Sequence, residues 1–215
     1  MNNGFFITFE GGEGSGKSTQ SNLLYEYLLD AGHQVIITRE PGGSEGAEII
    51  RELLVHGESD RWKPLSELFL FSAARVDHIA RTINPALNEG KIVICDRYID
   101  STTAYQGIAG NIDKDIVSLI QDLTVKTLIP DLTYICDLDP VVGLERALNR
   151  NIKENRYELK GIEFHQRIRS AFIDIAKTNK NRCIIVDANR DLKEISKSIS
   201  NQFETTYKNN KKDDK

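Results

Sequence analysis

Cysteine is scarce in this sequence, and its placement does not suggest a disulfide framework or a metal site. The three cysteines, Cys95, Cys136 and Cys183, each lie inside a short apolar run. That context is typical of buried strands, whereas disulfide-rich and zinc-binding proteins space their cysteines in polar loops. We therefore expect free thiols and a reducing compartment.

Long hydrophobic runs are also lacking. No stretch approaches the ~20 consecutive apolar residues that a membrane-spanning helix needs. The first residues, MNNGFFITFE, have neither the basic start nor the apolar core of a signal peptide. We therefore expect a protein without a membrane association and a cytoplasmic location.

Positive charge is not in excess, because 28 Lys and Arg residues stand against 32 Asp and Glu residues. Proteins that bind the phosphate backbone of nucleic acids generally present a basic face, so nucleic acid is not expected as a partner. The 215 residues are enough to bury a full core. We predict a single domain over residues 1–207, followed by a polar, disordered tail over 208–215.

Short apolar runs alternate with segments of helical periodicity. Strand-like runs occur at 5–9, 35–38, 92–95, 132–136 and 184–186, and helical segments at 21–29, 47–55, 65–87 and 192–203. This alternation predicts an α/β fold in which helices cover both faces of a five-stranded parallel sheet.

A glycine-rich loop follows the first strand-like run. The stretch GGEGSGKST satisfies the pattern G-x-x-x-x-G-K-[ST] between a strand and a helix. Glycines let successive backbone N–H groups surround phosphate, and the start of the next helix adds positive charge. Lys17 is placed to reach the β- and γ-phosphates, and the Ser18 hydroxyl to bind Mg²⁺. The predicted ATP-binding residues are Gly11, Gly12, Glu13, Gly14, Ser15, Gly16, Lys17, Ser18 and Thr19.

A second polar segment begins where the third strand-like run ends. Asp96 is a candidate second Mg²⁺ ligand, and its alternative is a carboxylate that caps the next helix. Arg97 offers a planar fork for phosphate. Polar groups then recur at near-helical spacing, at Ser101, Thr102, Tyr105 and Gln106. Because the carboxyl ends of parallel strands meet at one edge, this segment should face the phosphate loop.

Five motifs together resemble the thymidylate kinase family, whose members phosphorylate dTMP with ATP and Mg²⁺. In order, the motifs are GGEGSGKST, REPGG (39–43), LFLFSAAR (68–75), DRYIDSTTAYQG (96–107) and NRYE (155–158). The resemblance covers residues 5 to about 190. It implies a three-layer P-loop kinase fold, a short lid near 149–161, a role in dTTP synthesis, and a homodimer formed through helices on one side of the sheet.

The resemblance also implies how the nucleoside is bound. Phe71 would stack on the thymine ring, Arg75 would bond a base carbonyl, and Thr102 would read the ring-nitrogen edge. Tyr105 would pack below the sugar and exclude a 2′-hydroxyl. From the residues alone, Phe71 and Tyr105 would also fit the core face of a helix.

The acceptor phosphate would be bound by two arginines. Arg97 resembles the arginine that clamps this phosphate, and Arg51 resembles a second contact. An exposed helix arginine paired with a neighbouring glutamate would look the same as Arg51. Glu13 would accept a hydrogen bond from the deoxyribose 3′-hydroxyl and orient Arg97, and its alternative is a solvent-facing loop carboxylate. Ser101 and Gln106 complete the predicted substrate-binding set.

A cation must neutralise the charge on the transferred phosphoryl group. Some family members carry an arginine inside the phosphate loop, at the position of Gly14, and others supply it from the lid. This sequence resembles the second kind, because Arg150, Lys153 and Arg156 crowd into residues 149–161. We predict Lys17, Arg97 and Arg150 as catalytic, with Arg156 as second choice for the lid cation. From composition alone, a mobile flap and a solvated helix end describe this segment equally well.

Two other functions stay open from the sequence. A broader kinase could act on dUMP, dCMP or a nucleoside, since the thymine methyl group contributes only ~1 kcal/mol of burial. A nucleotide-dependent switch is the other class. The guanine-recognition pattern N-K-x-D is not matched by Asn179-Lys180-Asn181-Arg182, which lacks the aspartate.

Overall fold

Five parallel strands form the centre of the fold. The structure is a computed structural model that describes residues 4–149 and 156–213, with side chains as far as residue 210. The strands lie in the order β2-β3-β1-β4-β5, and each neighbouring pair is parallel. Their bounds are β1 (Phe5–Gly11), β2 (Val35–Arg39), β3 (Ile92–Asp96), β4 (Leu132–Asp137) and β5 (Cys183–Asp187). The five predicted strands are therefore confirmed.

Helices connect the strands and cover both faces of the sheet. They are α1 (Lys17–Asp30), α2 (Glu45–Val55), α3 (Pro64–His78), α4 (Asn84–Asn88), α5 (Ile99–Thr102), α6 (Lys114–Val125), α7 (Pro140–Leu148), α8 (Ile162–Thr178) and α9 (Leu192–Asp213). Two π-helical segments, Ile79–Ile83 and Thr103–Ala109, follow α3 and α5 directly. The predicted α/β fold with a parallel sheet between two helical layers is confirmed.

The central strand β1 is buried along its whole length, because both of its faces are covered. Phe5 and Phe9 pack with side chains of α1 and α9 on one face. Phe6 packs on the opposite face with the helical region after α3 and with the ring of Tyr98, whose centroid is 5.0 Å away. The two hydrophobic layers hold the carboxyl ends of β1 and β3 side by side, where the candidate site lies.

The helical region expected over 65–87 is divided in the structure. Its middle turn is wider than an α-helix, and the Asn84 N–H bonds the Ile79 carbonyl five residues back. Pro85 has no N–H, and in a regular α-helix its ring would clash with the carbonyl of the preceding turn. The wider turn accommodates that ring. The helical segment predicted over 65–87 is confirmed, as continuous helical turns with a π-helical segment in the middle.

The last helix extends further than expected. Helix α9 continues to Asp213, so the prediction of a disordered tail is wrong for residues 208–213. Phe203 is fully buried, and the Tyr207 ring stacks on it with centroids 5.1 Å apart. Lys208 then pairs with Glu204 one turn earlier, at 3.3 Å. These contacts extend the helix beyond the apolar pattern.

The cysteines lie in strands, as the apolar runs around them predicted. Cys95, Cys136 and Cys183 are free and buried. Among the described residues, no helix combines the length and the apolar character needed to cross a bilayer.

Candidate active site

A cavity of about 320 Å³ lies at the carboxyl edge of the sheet, between the phosphate loop, α2, α3 and the segment after β3. It brings together most of the predicted site residues. Those that line it are Glu13, Gly14, Ser15, Gly16, Lys17, Ser18, Arg51, Phe71, Arg75, Asp96, Arg97, Ser101, Thr102, Tyr105, Gln106 and Arg156. Gly11 and Gly12 line a smaller cavity behind the loop, and Thr19 is exposed on the first turn of α1.

The phosphate loop is shaped by its own backbone and by the side chains of Ser15 and Lys17. Gly16 has φ +87°, a left-handed conformation that suits glycine and leads directly into α1. The Lys17 Nζ donates to the Gly12 carbonyl at 2.7 Å, and the Ser15 hydroxyl donates to the same carbonyl at 2.8 Å. Burial lowers the pKa of Lys17. The ammonium group therefore lies within the phosphate loop, where it would contact the phosphates of a bound nucleotide.

Gly14 lies too close to α7 to carry a side chain. Its φ is +65°, and a Cβ atom there would lie 2.0 Å from the carbonyl oxygen of Gly143. Any side chain at this position would require α7 to move away from the loop. The structure therefore leaves no space for an arginine inside the phosphate loop at position 14.

Ser18 and Asp96 meet beside the phosphate loop. The Ser18 hydroxyl donates to Asp96 Oδ2 at 2.5 Å across the ends of α1 and β3. The second oxygen, Oδ1, is buried and has no hydrogen-bond partner among the described residues. A hydroxyl and a carboxylate oxygen are the donors that Mg²⁺ prefers, and Mg²⁺ in such sites takes its other ligands from phosphate and water. The pair therefore fits a nucleotide-bound Mg²⁺.

Arg97 lies at the centre of the acceptor side and is held from three directions. Its φ of +71° points the side chain back over β1. Nη1 donates to the Gly11 carbonyl at 3.0 Å and to the Ser101 hydroxyl at 3.1 Å. Nη2 donates to both carboxylate oxygens of Glu13, at 3.0 and 3.1 Å. The guanidinium also lies 4.9 Å from the centre of the Tyr105 ring.

Glu13 is charged and is bonded by two side chains, those of Arg97 and Tyr105. The Tyr105 hydroxyl donates to its Oε1 at 2.6 Å, in addition to the contact with Arg97. Burial alone would raise the pKa of Glu13, but Arg97, Lys17 and the Tyr105 hydroxyl together lower it from 4.5 to about 2. The loop carboxylate therefore does not face solvent. It bonds Arg97 with both oxygens, which is the contact that an orienting role for Glu13 requires.

Glu10 holds the segment that follows β3 by hydrogen bonds to Tyr98 and Ser101. It is fully buried, and its carboxylate accepts from the Tyr98 N–H at 2.8 Å and from the Ser101 hydroxyl at 2.5 Å. Burial, with the nearby Asp100 charge, raises the pKa of Glu10 above its ordinary value. Ser101 is thus shared between Glu10 and Arg97, and it fixes the segment that carries the predicted nucleoside contacts.

Arg75 is fixed by a buried carboxylate that the sequence reasoning did not single out. Glu40, just after β2, accepts from Arg75 Nε at 2.7 Å and contacts the His78 ring at 3.1 Å. Arg75 Nη2 donates to the Tyr98 carbonyl at 3.0 Å. Nη1 is buried without a hydrogen-bond partner among the described residues. Since Arg75 lines the cavity, this donor could bond an acceptor atom of a bound ligand.

The base end of the cavity is aromatic and polar together. Phe71 is half-buried, and its ring centroid lies 6.4 Å from that of Tyr157. Thr102 and Gln106, one turn apart on the segment after β3, are both buried and line the cavity. Gln106 Nε2 donates to Glu67 at 3.3 Å. The predicted base contacts therefore share one wall.

The predicted lid residues are only partly covered by the structure. Arg150 and Lys153 lie outside the described residues. Arg156 is 1% exposed, and its guanidinium bonds Glu67 and the carbonyls of Leu54, Glu58 and Ser59. These contacts engage the Arg156 guanidinium, whereas its second-choice interpretation as the catalytic cation needs a guanidinium that reaches the transferred phosphoryl group, so that role stays a prediction.

Arg51 contacts the loop after β2. Its Nη1 donates to the Pro41 carbonyl at 2.7 Å, and the side chain lines the cavity beside Arg39. Of the two neighbouring glutamates, Glu48 pairs with Arg39, at 3.0 Å. Arg51 therefore faces the cavity, as the acceptor-phosphate interpretation requires.

Three further residues shape the cavity and were not predicted as site residues, namely Glu40, Glu67 and Tyr157. One sequence signal points to Glu67. It lies four and eight residues before Phe71 and Arg75, so all three occupy the same face of α3. Glu40 lies inside the REPGG motif, but nothing local indicates that its partner is Arg75.

Comparison with known proteins gives consistent matches over nearly the whole chain. Residues 9–199 match the family model described as thymidylate kinase. A thymidylate kinase of Caulobacter vibrioides is 49% identical over 200 residues, which cover 93% of this chain and 96% of the relative. One of Ruegeria pomeroyi is 48% identical, with 92% and 93% covered. The crystal structure of thymidylate kinase from Ehrlichia chaffeensis matches with a TM-score of 0.71 at 42% identity, covering 85% of this chain and 92% of that one.

Proposed function

The chain belongs to the thymidylate kinase family, and from this premise we propose that its cavity transfers the γ-phosphoryl group of ATP to dTMP, giving dTDP and ADP. The phosphate loop would hold the donor and the opposite wall the acceptor. Such a reaction needs little covalent chemistry from the protein. It needs two phosphates in line, water excluded, and positive charge around the transferred group.

The observation that carries this proposal is the contact of Arg97 with Glu13. It joins the acceptor side to the phosphate loop, because Glu13 belongs to the loop and Arg97 to the segment after β3. An arginine held in this way presents its remaining surface to an acceptor phosphate without having to reorganise. Lys17 lines the same cavity as Glu13 and Arg97, so the loop and the segment after β3 would each supply a cation to flank the transferred group.

The opposite wall supports a deoxynucleoside monophosphate as acceptor. Phe71 would stack on the base, and the unpartnered Nη1 of Arg75 would donate to a base carbonyl. Thr102 and Gln106 would bond the ring-nitrogen edge. Tyr105 would lie under the sugar, where its ring is fixed by the hydrogen bond to Glu13. Arg51 would be the second arginine on the acceptor phosphate.

We propose that Mg²⁺ accompanies ATP, with Ser18 and Asp96 as the protein groups that hold it. Bound there, Mg²⁺ would offset negative charge on the phosphates. Support comes from the buried second oxygen of Asp96, which has no partner among the described residues. In the parts of the chain that the structure describes, no cluster of three or more His, Cys, Asp or Glu offers another site.

Arg150 remains our proposed catalytic cation, although it lies outside the described residues. Position 14 has no room for a side chain, and the Arg156 guanidinium is already bonded to Glu67. Another lid residue would therefore have to supply the cation. Arg150→Ala should lower kcat by about 10² or more with little change in dTMP affinity, since the contact forms mainly in the transition state. A change confined to KM would contradict this role. Lys177→Ala, which removes an exposed cation, is the matched control.

The test of the whole proposal is an acceptor panel with ATP and Mg²⁺. dTMP should give the highest kcat/KM, followed by dUMP, with dCMP and thymidine far below. The methyl group separates dTMP from dUMP by only about tenfold. Turnover of dCMP or thymidine that equals turnover of dTMP would favour the broader kinase instead.

A nucleotide-dependent switch is separated from a kinase by ATP turnover without an acceptor. The kinase should hydrolyse ATP slowly until dTMP is added, because the acceptor side is incomplete without it. Hydrolysis at full rate in the absence of dTMP would support the switch and contradict the kinase.

We also propose a homodimer formed through α3 and α6. Apolar side chains are exposed along one side of each helix, namely Leu65, Phe69, Val76, Ile116, Leu119 and Leu123. The two helices lie against each other, so these side chains form one surface suited to a second copy. Leu123→Glu should give monomers in sedimentation, and Leu192→Glu, at another exposed leucine, should not.

The three free, buried cysteines support a reducing, cytoplasmic location.

A further inference from the structure

A buried polar cluster closes the base end of the cavity, away from the phosphates. It consists of Glu67, Gln106, Arg156 and Tyr157. Glu67, Gln106 and Arg156 are all 5% exposed or less. Charged and amide groups are rarely buried so deeply unless they are paired, and here they pair with one another. The proposed phosphoryl transfer uses only Gln106, so the cluster has to be explained.

Arg156 fixes the position of Glu67. Its Nε and Nη1 donate to the carbonyls of Glu58 and Leu54, at 3.0 and 3.1 Å, in the connection from α2 to α3. Nη2 bonds Glu67 Oε1. An arginine stays charged at every physiological pH, so this contact holds the Glu67 carboxylate in one place on the first turn of α3.

Glu67 in turn decides which way the Gln106 amide faces. Its other oxygen, Oε2, lies 3.3 Å from Gln106 Nε2. The Tyr157 hydroxyl lies 3.5 Å from the same nitrogen. A carboxylate oxygen only accepts hydrogen bonds, so it must face the amide NH₂ group and never the amide oxygen. The Gln106 oxygen, Oε1, is thereby turned to the opposite side, and Gln106 lines the cavity.

We propose that Glu67 and Arg156 are positioning residues that set nucleobase choice by presenting the Gln106 oxygen, an acceptor, to the base. The inference rests on the proposed function. Thymine and uracil carry an N3–H donor and a 4-carbonyl acceptor. Cytosine has an unprotonated N3 acceptor and a 4-amino donor at the same places. Gln106 Oε1 and the unpartnered Arg75 Nη1 match the first pattern and oppose the second.

The test compares two ratios of kcat/KM in the wild type and in Glu67→Gln. A glutamine at position 67 can still accept a hydrogen bond from Arg156. Its NH₂ group can also face Gln106, however, and then the Gln106 amide can rotate so that its oxygen and NH₂ group exchange places. We expect the ratio of dTMP to dCMP to fall by about tenfold or more, since one mismatched buried hydrogen bond is of that size. The ratio of dTMP to dUMP should stay constant, because both bases carry N3–H.

Further variants separate positioning from a loss of folding. In Gln106→Met the amide is removed, and the ratio of dTMP to dCMP should fall to a similar extent. Adding Glu67→Gln to that background should then leave the ratio unchanged, because no amide remains to be turned. Arg156→Lys should preserve the ratio better than Arg156→Met, since a lysine keeps the charge beside Glu67. Glu194→Gln, in an exposed pair with Arg190, is the control for a lost carboxylate.

The results that would overturn the inference are distinct from failure of the proposed function. Equal losses of kcat/KM for dTMP and dCMP in Glu67→Gln would show that Glu67 only supports the fold. A further fall of the ratio in the double variant would show that Glu67 acts other than through Gln106. If the wild type does not phosphorylate dTMP at all, the proposed function fails, whereas normal activity with an unchanged ratio contradicts only this inference.

Discussion

The two ends of the cavity are built differently. At the phosphate loop the contacts come from backbone groups and from Lys17, which bonds a carbonyl of its own loop. At the acceptor end three arginines are each held by a carboxylate, in the pairs Arg75 with Glu40, Arg97 with Glu13 and Arg156 with Glu67. A polyphosphate chain is recognised by charge, which inward N–H groups provide. A nucleoside has to be read by directed donors and acceptors, so the side chains that read it must be held in one orientation.

The largest effect at the acceptor end is expected from removing the charge of Glu40, the carboxylate that pairs with Arg75. Both side chains of the Arg75 and Glu40 pair are at most 4% exposed, so Glu40→Gln would leave a buried charge without compensation. We expect the free energy of unfolding to fall by about 3 kcal/mol, measured by urea denaturation. Glu194→Gln, in an exposed pair, should cost less than about 1 kcal/mol. Equal losses in the two variants would contradict the role given to Glu40.

Two carboxylates three residues apart should respond to pH in opposite directions. The folded pKa of Glu13, about 2, lies below its ordinary 4.5, so Glu13 stabilises the fold fully above pH 4.5. That contribution, roughly 3 kcal/mol from the shift, is lost as the pH falls from 4.5 through 2. The folded pKa of Glu10 is raised, so Glu10 favours the fold at low pH and this contribution is lost as the pH rises above 4.5.

The measurement is urea unfolding of the wild type and two variants across this pH range. Glu13→Gln should flatten the stability curve below pH 4.5, and Glu10→Gln should flatten it above. If each variant flattens the other's part of the curve, the assignment of the two carboxylates is wrong.

Tyr105 gives a smaller effect that separates its ring from its hydroxyl. Tyr105→Ala opens space below the sugar and should lower the ratio of kcat/KM for dTMP over its ribonucleotide analogue by roughly tenfold. Tyr105→Phe keeps the ring, so it should preserve that ratio while lowering kcat/KM for both, because the hydrogen bond to Glu13 is lost. A ratio that falls equally in both variants would show that the ring does not exclude the 2′-hydroxyl.

The same contrast explains what could be predicted from the sequence. The phosphate loop is local: its nine residues are consecutive, and the strand before it and the helix after it follow from periodicity. The five strands and their parallel arrangement were predictable for the same reason. The family resemblance supplied the proposed roles of Phe71, Arg75 and Tyr105, whereas from the residues alone Phe71 and Tyr105 would also fit the core face of a helix.

Two of the supporting carboxylates, Glu40 and Glu67, could not be predicted, because their partners are distant in the chain. Glu40 lies 35 residues from Arg75, and Glu67 lies 89 residues from Arg156. No local pattern reports such a contact, so Arg156 looked like a free lid cation until its burial was known. The extended α9 was missed because its last turns are polar and only its earlier aromatic residues are anchored.

The central claim is that one cavity holds two separately built half-sites, and calorimetric titration of two variants tests it most directly. Phe71→Ala should weaken dTMP binding by about tenfold or more, the usual value of a lost base stack, and leave the affinity for ATP with Mg²⁺ within about twofold. Lys17→Ala should do the reverse. If either variant weakens both ligands equally, or if dTMP does not bind to the wild type, the account of a two-substrate kinase site is contradicted.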